Sequence, residues 1–128
     1  MPQALKKILI VEDERLLAIS LRMDLEEIGF RNIRMVTNFD DACDAFRTEE
    51  PELVLMDVSI HGEKNGIDTA RFLSAISSVP VIFLTGETDS EIRKQAESCT
   101  NCRGYLTKPI RMEMLEPLLS QVLSSTFS

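Results

Sequence analysis

The chain has 128 residues, 44% of them hydrophobic and 27% charged, which is the size and balance of one globular domain, and a single domain over residues 1–128 is expected. Its formal net charge of -7 disfavours a nucleic-acid partner, because affinity for a phosphate backbone comes mainly from Lys and Arg displacing counterions. No apolar run is long enough to span a bilayer and no hydrophobic signal core follows the lysines of the first seven residues, so a cytoplasmic protein with no membrane partner is expected.

Five short apolar runs punctuate the sequence, and four of them are followed by apolar residues at helical spacing. The first run, Lys7-Ile8-Leu9-Ile10-Val11, is continuous, as in a parallel strand buried on both faces. Glu14 to Ile28 then places Leu17, Leu21, Leu25 and Ile28 on one helical face, with Gly29 as a left-handed stop. Ile33 to Thr37 reads as a more polar edge strand, and Asn38-Phe39-Asp40-Asp41 caps a helix carrying Ala42, Ala45 and Phe46 that Pro51 ends. Leu53-Val54-Leu55-Met56 predicts a second central strand. After a loop containing His61 and Gly66, a helix sets Ile67, Ala70, Leu73 and Ile76 inward. Val79 to Leu84 predicts the fourth strand. The capping-box pattern Thr88-Asp89-Ser90-Glu91 opens a helix to about Ser98 with few apolar residues. Gly104 to Thr107 is a last short strand, and Met112 to Leu123 a closing helix. Pro117 interrupts it, so that helix should start later or kink.

Cysteines number three, Cys43, Cys99 and Cys102, which fits a reducing compartment better than a disulfide framework. Cys99-Thr100-Asn101-Cys102 is a CxxC, open in principle to redox or metal chemistry. A tetrahedral site would have to recruit Cys43 and His61, so two small residues in a turn is the favoured reading.

Strict strand–helix alternation implies an α/β fold with a parallel sheet wrapped on both faces, whose ligands bind beyond the carboxyl ends of the strands. Glu12, Asp13, Asp57, Thr85, Lys108 and Pro109 all fall at such ends. Three carboxylates brought together repel, and a hard divalent cation with oxygen ligands, Mg2+ above all, resolves the repulsion. A lysine and a hydroxyl facing that cation supply what a phosphoryl group needs. Aspartate can act as nucleophile and form an acyl phosphate, but chemistry alone leaves open which carboxylate accepts.

The segments Ile8–Glu14, Leu53–Asp57, Val81–Gly86 and Gly104–Pro109, in this order, resemble the four signature segments of response-regulator receivers across nearly the whole chain. The resemblance implies a flavodoxin-like, doubly wound five-stranded parallel sheet of order 2-1-3-4-5 with five helices, a strand order carried over from that family rather than derived. It implies that Asp57 is the phosphoacceptor, Asp13 the direct Mg2+ ligand, Glu12 a partner acting through metal-bound water, and the Ser59 carbonyl a further ligand. Lys108 matches the lysine that pairs with the phosphoryl group, Pro109 the proline after a cis peptide, and Thr85 and Tyr105 the switch pair that reshapes the face of the fourth helix, fifth strand and fifth helix.

The phosphoryl donor would be a histidine kinase or a histidine phosphotransfer domain. The chain would be a signalling phosphoacceptor rather than an enzyme, with an unidentified downstream protein or a phosphorylation-dependent homodimer as its output. It would stand alone or serve as one module of a longer chain such as a hybrid kinase. A pseudo-receiver of the same fold is the second reading, against which the full residue set argues. An aspartyl-phosphate hydrolase, the third, would need an aspartate where Ser59 stands. The loop Val58–Gly66 is longer than usual for the family, and Glu87 and Ser59 match positions that influence phosphoryl lifetime. His61 reads as an exposed loop residue, not a relay histidine.

Overall fold

The computed structural model describes residues 5–60, 62–86 and 90–125; His61, Glu87 and the first two residues of the capping-box pattern, Thr88 and Asp89, lie outside them. Among the described residues the elements alternate as β1 (Lys7–Val11), α1 (Arg15–Ile28), β2 (Asn32–Val36), α2 (Phe39–Glu49), β3 (Leu53–Asp57), α3 (Gly66–Ile76), β4 (Val81–Thr85), α4 (Ser90–Glu97), β5 (Cys102–Thr107) and α5 (Met112–Ser125). The strands form one parallel sheet of order β2-β1-β3-β4-β5. This is the flavodoxin-like arrangement.

The continuous apolar runs are explained by burial on both faces. Alternate residues of each strand go to opposite layers. Leu9, Val11, Val54, Met56, Val81 and Phe83 pack with α2, α3 and α4, whereas Ile8, Ile10, Leu53, Leu55, Ile82 and Leu84 pack with α1 and α5. Each fully buried Leu or Ile in these layers contributes on the order of 1.5–3 kcal/mol of transfer free energy. The edge position of β2 accounts for its exposed Asn32 and Arg34.

Local chemistry sets the ends. Gly29, at φ 125°, donates its N–H to the carbonyls of Leu25 and Glu26 and stops α1. Asn38 accepts from Asp41 N–H at 2.8 Å, and Asn65 with Asp68 forms a reciprocal capping box on α3. Some expectations shift. The fourth strand begins at Val81, after Pro80, and not at Val79. Ile76 is 55% exposed rather than inward, because it is the last residue of α3.

Cys99 and Cys102 flank a turn as expected, with the Cys102 N–H donating to Cys99 O at 3.1 Å; Cys99 is buried, and Cys102 is also the first residue of β5. A bulge at Arg103 hides the strand's start: Val81 pairs with Cys102 but Ile82 with Gly104, so Tyr105 comes opposite Phe83. Finally, α5 starts at Met112 and runs through Pro117, which lacks the N–H that would reach the Glu113 carbonyl. The alternative of a later start is therefore excluded.

Candidate functional site

The carboxyl ends of β1, β3 and β5 bring Glu12, Asp13, Asp57 and Lys108 to one place. A carboxylate oxygen from each of the three acids lies within 4.8 Å of the others. Lys108 Nζ sits 3.0 Å from Glu12 Oε1 and 3.4 Å from Asp57 Oδ1. Glu12 and Asp57 are 2% and 1% exposed, so these charges interact with little solvent screening. Asp13 is half-buried and, with Glu14, Thr37, Asn38, Asp57, Ser59 and Lys108, lines an open cavity of about 570 Å3. A ligand can therefore reach Asp57 from solvent.

Backbone contacts fix these positions. Glu12 N–H donates to Val36 O at 3.0 Å, Val58 N–H to Leu84 O at 3.0 Å, and Lys108 N–H to Thr85 O at 2.7 Å. The Lys108–Pro109 peptide is cis. Asp57 Oδ1 accepts from both the N–H and the hydroxyl of Ser59, each at 3.1 Å, and Glu12 Oε2 accepts from Glu14 N–H at 3.0 Å. Glu12 Oε1 is buried, and the Lys108 ammonium 3.0 Å away compensates it.

The electrostatics follow from crowded negative charge. Burial, and after it the Asp57 carboxylate, pushes the Glu12 carboxyl above the usual range despite the Glu14 N–H and Lys108. Burial alone would lower the Lys108 ammonium, but the Glu12 hydrogen bond and the Asp57 charge outweigh it and raise the group. Both shifts favour the more positive form. A divalent cation satisfies the same demand, and an all-oxygen donor set of carboxylates suits a hard ion of the Mg2+ type.

Thr85 is 2% exposed at the end of β4. Tyr105 is half-buried on the next strand, opposite Phe83, two residues before Thr107, which faces Thr85. By strand alternation Thr85 and Tyr105 belong to the same side of the sheet, the α2–α4 side. The Arg93 guanidinium lies over the Tyr105 ring at 4.3 Å from its centroid.

Two features were not drawn from the sequence. Gly66 opens α3 directly against the end of β3: a Cβ there would sit 2.7 Å from the Asp57 carbonyl carbon and 2.8 Å from Val58 Cα. Its N–H donates to Val58 O at 3.1 Å. The Asn65-Gly66 pair is the signal that would have marked it, though it reads equally well as a plain turn. For Ser59 the resemblance names the carbonyl as a metal ligand and the position as one that influences phosphoryl lifetime, but not that its N–H and hydroxyl hold Asp57.

The sequence matches the family model described as the response regulator receiver domain over residues 8–120. The chain belongs to that family. This receiver is similar to the signal receiver domain of a modulated diguanylate cyclase from Desulfovibrio desulfuricans G20, with 31% identity, a TM-score of 0.86, and coverage of 94% of this chain and 95% of that one. It is similar too to the N-terminal domain of a response regulator/sensory box/GGDEF 3-domain protein from Carboxydothermus hydrogenoformans, at 28% identity, TM-score 0.86, covering 95% and 97%. A two-component response regulator from Clostridium difficile, 21% identical with a TM-score of 0.88 over 96% and 99%, shares the fold. Receivers are signalling phosphoacceptors of two-component systems. No helix among the described residues is long and apolar enough to cross a membrane.

Proposed function

We propose that this receiver accepts a phosphoryl group on Asp57 from a histidine kinase or a histidine phosphotransfer domain. The observation that carries the reading is the buried Asp57 carboxylate, open to solvent through one cavity and held between Lys108 and two further carboxylates. A carboxylate oxygen of Asp57 attacks phosphorus in line while the bond from phosphorus to the donor imidazole breaks, and the imidazole leaves with its electron pair. Ser59 and Lys108 orient the nucleophile before attack, and the Lys108 ammonium then faces the oxygens of the transferred group.

Asp13, Asp57, the Ser59 carbonyl and, through water, Glu12 would hold Mg2+, which when bound supplies positive charge against the phosphoryl oxygens. Thr85 and Tyr105 form the switch: the Thr85 hydroxyl moves toward the phosphoryl group, Tyr105 turns inward, and the α4–β5–α5 face alters for a downstream protein or a second copy. Pro109 holds the Lys108 loop in shape. A cytoplasmic location goes with this reading.

Intact mass after incubation with acetyl phosphate tests it. Gain of one phosphoryl group that requires both Mg2+ and Asp57, absent in Asp57→Asn, is expected. A folded protein that gains none, from acetyl phosphate or from a phosphorylated histidine donor, would instead be a pseudo-receiver that signals by constitutive contact.

A further inference from the structure

Tyr105 is held by a residue outside the phosphorylation site. Its ring packs at the margin of the α2–α4 core layer, and its outer side lines a surface cavity of about 410 Å3 together with Arg93, Thr107, Lys108, Arg111 and Met114. The Arg93 guanidinium carbon stands 4.3 Å from the ring centroid, well inside the range of a cation–π contact. Arg93 is itself tethered: its Nε is 3.2 Å from Glu97 Oε2, one turn further along α4. Ring, guanidinium and carboxylate thus form a chain joining β5 to α4. Arg93 and Glu97 are both more than half exposed, so the chain opens without disturbing the core.

We propose that Arg93 is a positioning residue that holds Tyr105 at the surface, and that the strength of this stack sets how readily the receiver passes to its switched state. The inference rests on the reading of Asp57 as acceptor and Tyr105 as switch residue. A contact made in only one of two states shifts their ratio by its own free energy. The stack exists in the resting arrangement and must break when the ring turns inward. Removing it therefore favours the switched state and every ligand that selects that state. A partly exposed cation–π contact corresponds to roughly a two- to fivefold change in an equilibrium constant.

The protein carries its own reporter, since Tyr105 is the single tyrosine and there is no tryptophan. The experiment titrates the full chain, at saturating Mg2+, with beryllofluoride, a stand-in for a phosphoryl group on a carboxylate. Fluorine resonance gives binding, and Tyr105 emission with acrylamide quenching gives the state of the ring. Arg93→Ala is expected to leave the resting ring more open to quencher and to bind beryllofluoride roughly two- to fivefold more tightly than wild type. Arg93→Lys should fall between the two. Glu97→Gln, which keeps the guanidinium but loosens it, should move both readouts in the same direction by less.

A residue that only supported the fold would change unfolding stability without tightening beryllofluoride. Unchanged quenching and unchanged or weaker affinity in Arg93→Ala would overturn the proposal, as would Asp57-dependent binding in wild type with no change in Tyr105 emission. Absence of Asp57-dependent binding in wild type would instead sink the acceptor reading, and this inference with it. If Arg93→Ala does not fold, Arg93→Lys and Glu97→Gln carry the test in either direction.

Discussion

Gly66→Ala sets two physical effects against each other at one position. Helix propensity alone favours the variant, since Ala in a helix interior is about 1 kcal/mol better than Gly and less than that in a first turn. The structure says the reverse. The added Cβ would stand 2.7 Å from the Asp57 carbonyl carbon and 2.8 Å from Val58 Cα, so the start of α3 must back away from the backbone of β3. Those atoms are main chain and cannot rotate aside. Retreat also stretches the Gly66 N–H to Val58 O bond, now 3.1 Å. Overpacking of about 1–3 kcal/mol and a lost hydrogen bond of about 1 kcal/mol outweigh the propensity gain, leaving a net loss of about 2–3 kcal/mol. Equilibrium unfolding in urea measures it, with the midpoint expected to fall by about 1 M or more for a slope typical of this size. Acetyl phosphate labelling of the folded variant should also slow, because the displaced backbone carries Asp57. A midpoint equal to or above that of wild type would refute the contact argument and leave helix propensity as the governing effect.

Lys108→Ala is expected to cost about 3 kcal/mol in chelator, since it strips the counter-charge from buried Glu12 and Asp57; an unfolding free energy within 1 kcal/mol of wild type would contradict the pairing. Asn38→Ala removes the side chain that accepts from Asp41 N–H and should lower stability by about 1 kcal/mol, read as a shift in thermal midpoint. Burial pushes the thiols of Cys99 and Cys102 up, so at pH 8 both should react with an aromatic disulfide more slowly in the folded chain than in urea. The sign for stability follows: below about pH 8.5 both states keep these thiols neutral, and above it only the unfolded chain ionises freely, so unfolding should become easier as pH rises further.

Element order and sheet position were legible because the strands of a doubly covered sheet are apolar without alternation, which no solvated strand imitates. Legibility failed where tertiary contact overrode local pattern. Ile76 keeps the helical spacing of Ile67, Ala70 and Leu73, but spacing does not report where the covering layer ends. The start of β5 was hidden by Arg103, whose bulge breaks the run between Cys102 and Gly104. Pro117 pointed to a later start or a kink, and the later start fails because its missing N–H costs α5 a single bond that packing by Leu115, Leu119 and Val122 outweighs.

At the site, the residues themselves could be named from their place after strands. Their mutual arrangement could not. Nothing local says that Lys108 reaches Glu12 more closely than Asp57, or that Ser59 turns its donors onto Asp57. Arg93 gave no sign at all. Its partner Tyr105 lies on another element, and an arginine on a polar helix reads as an ordinary solvated charge.

The order of the charged cluster along the chain has a consequence for biosynthesis. Glu12, Asp13 and Asp57 leave the ribosome first, and Lys108 arrives about fifty residues after Asp57, on the loop beyond the last strand. A nascent chain that has completed β1 to β4 holds three acids with no lysine among them, and closing the sheet over that surplus is unfavourable until β5 docks. The acidic pocket is therefore completed late, and until β5 docks a partly made chain holds the three carboxylates without the lysine that pairs with two of them.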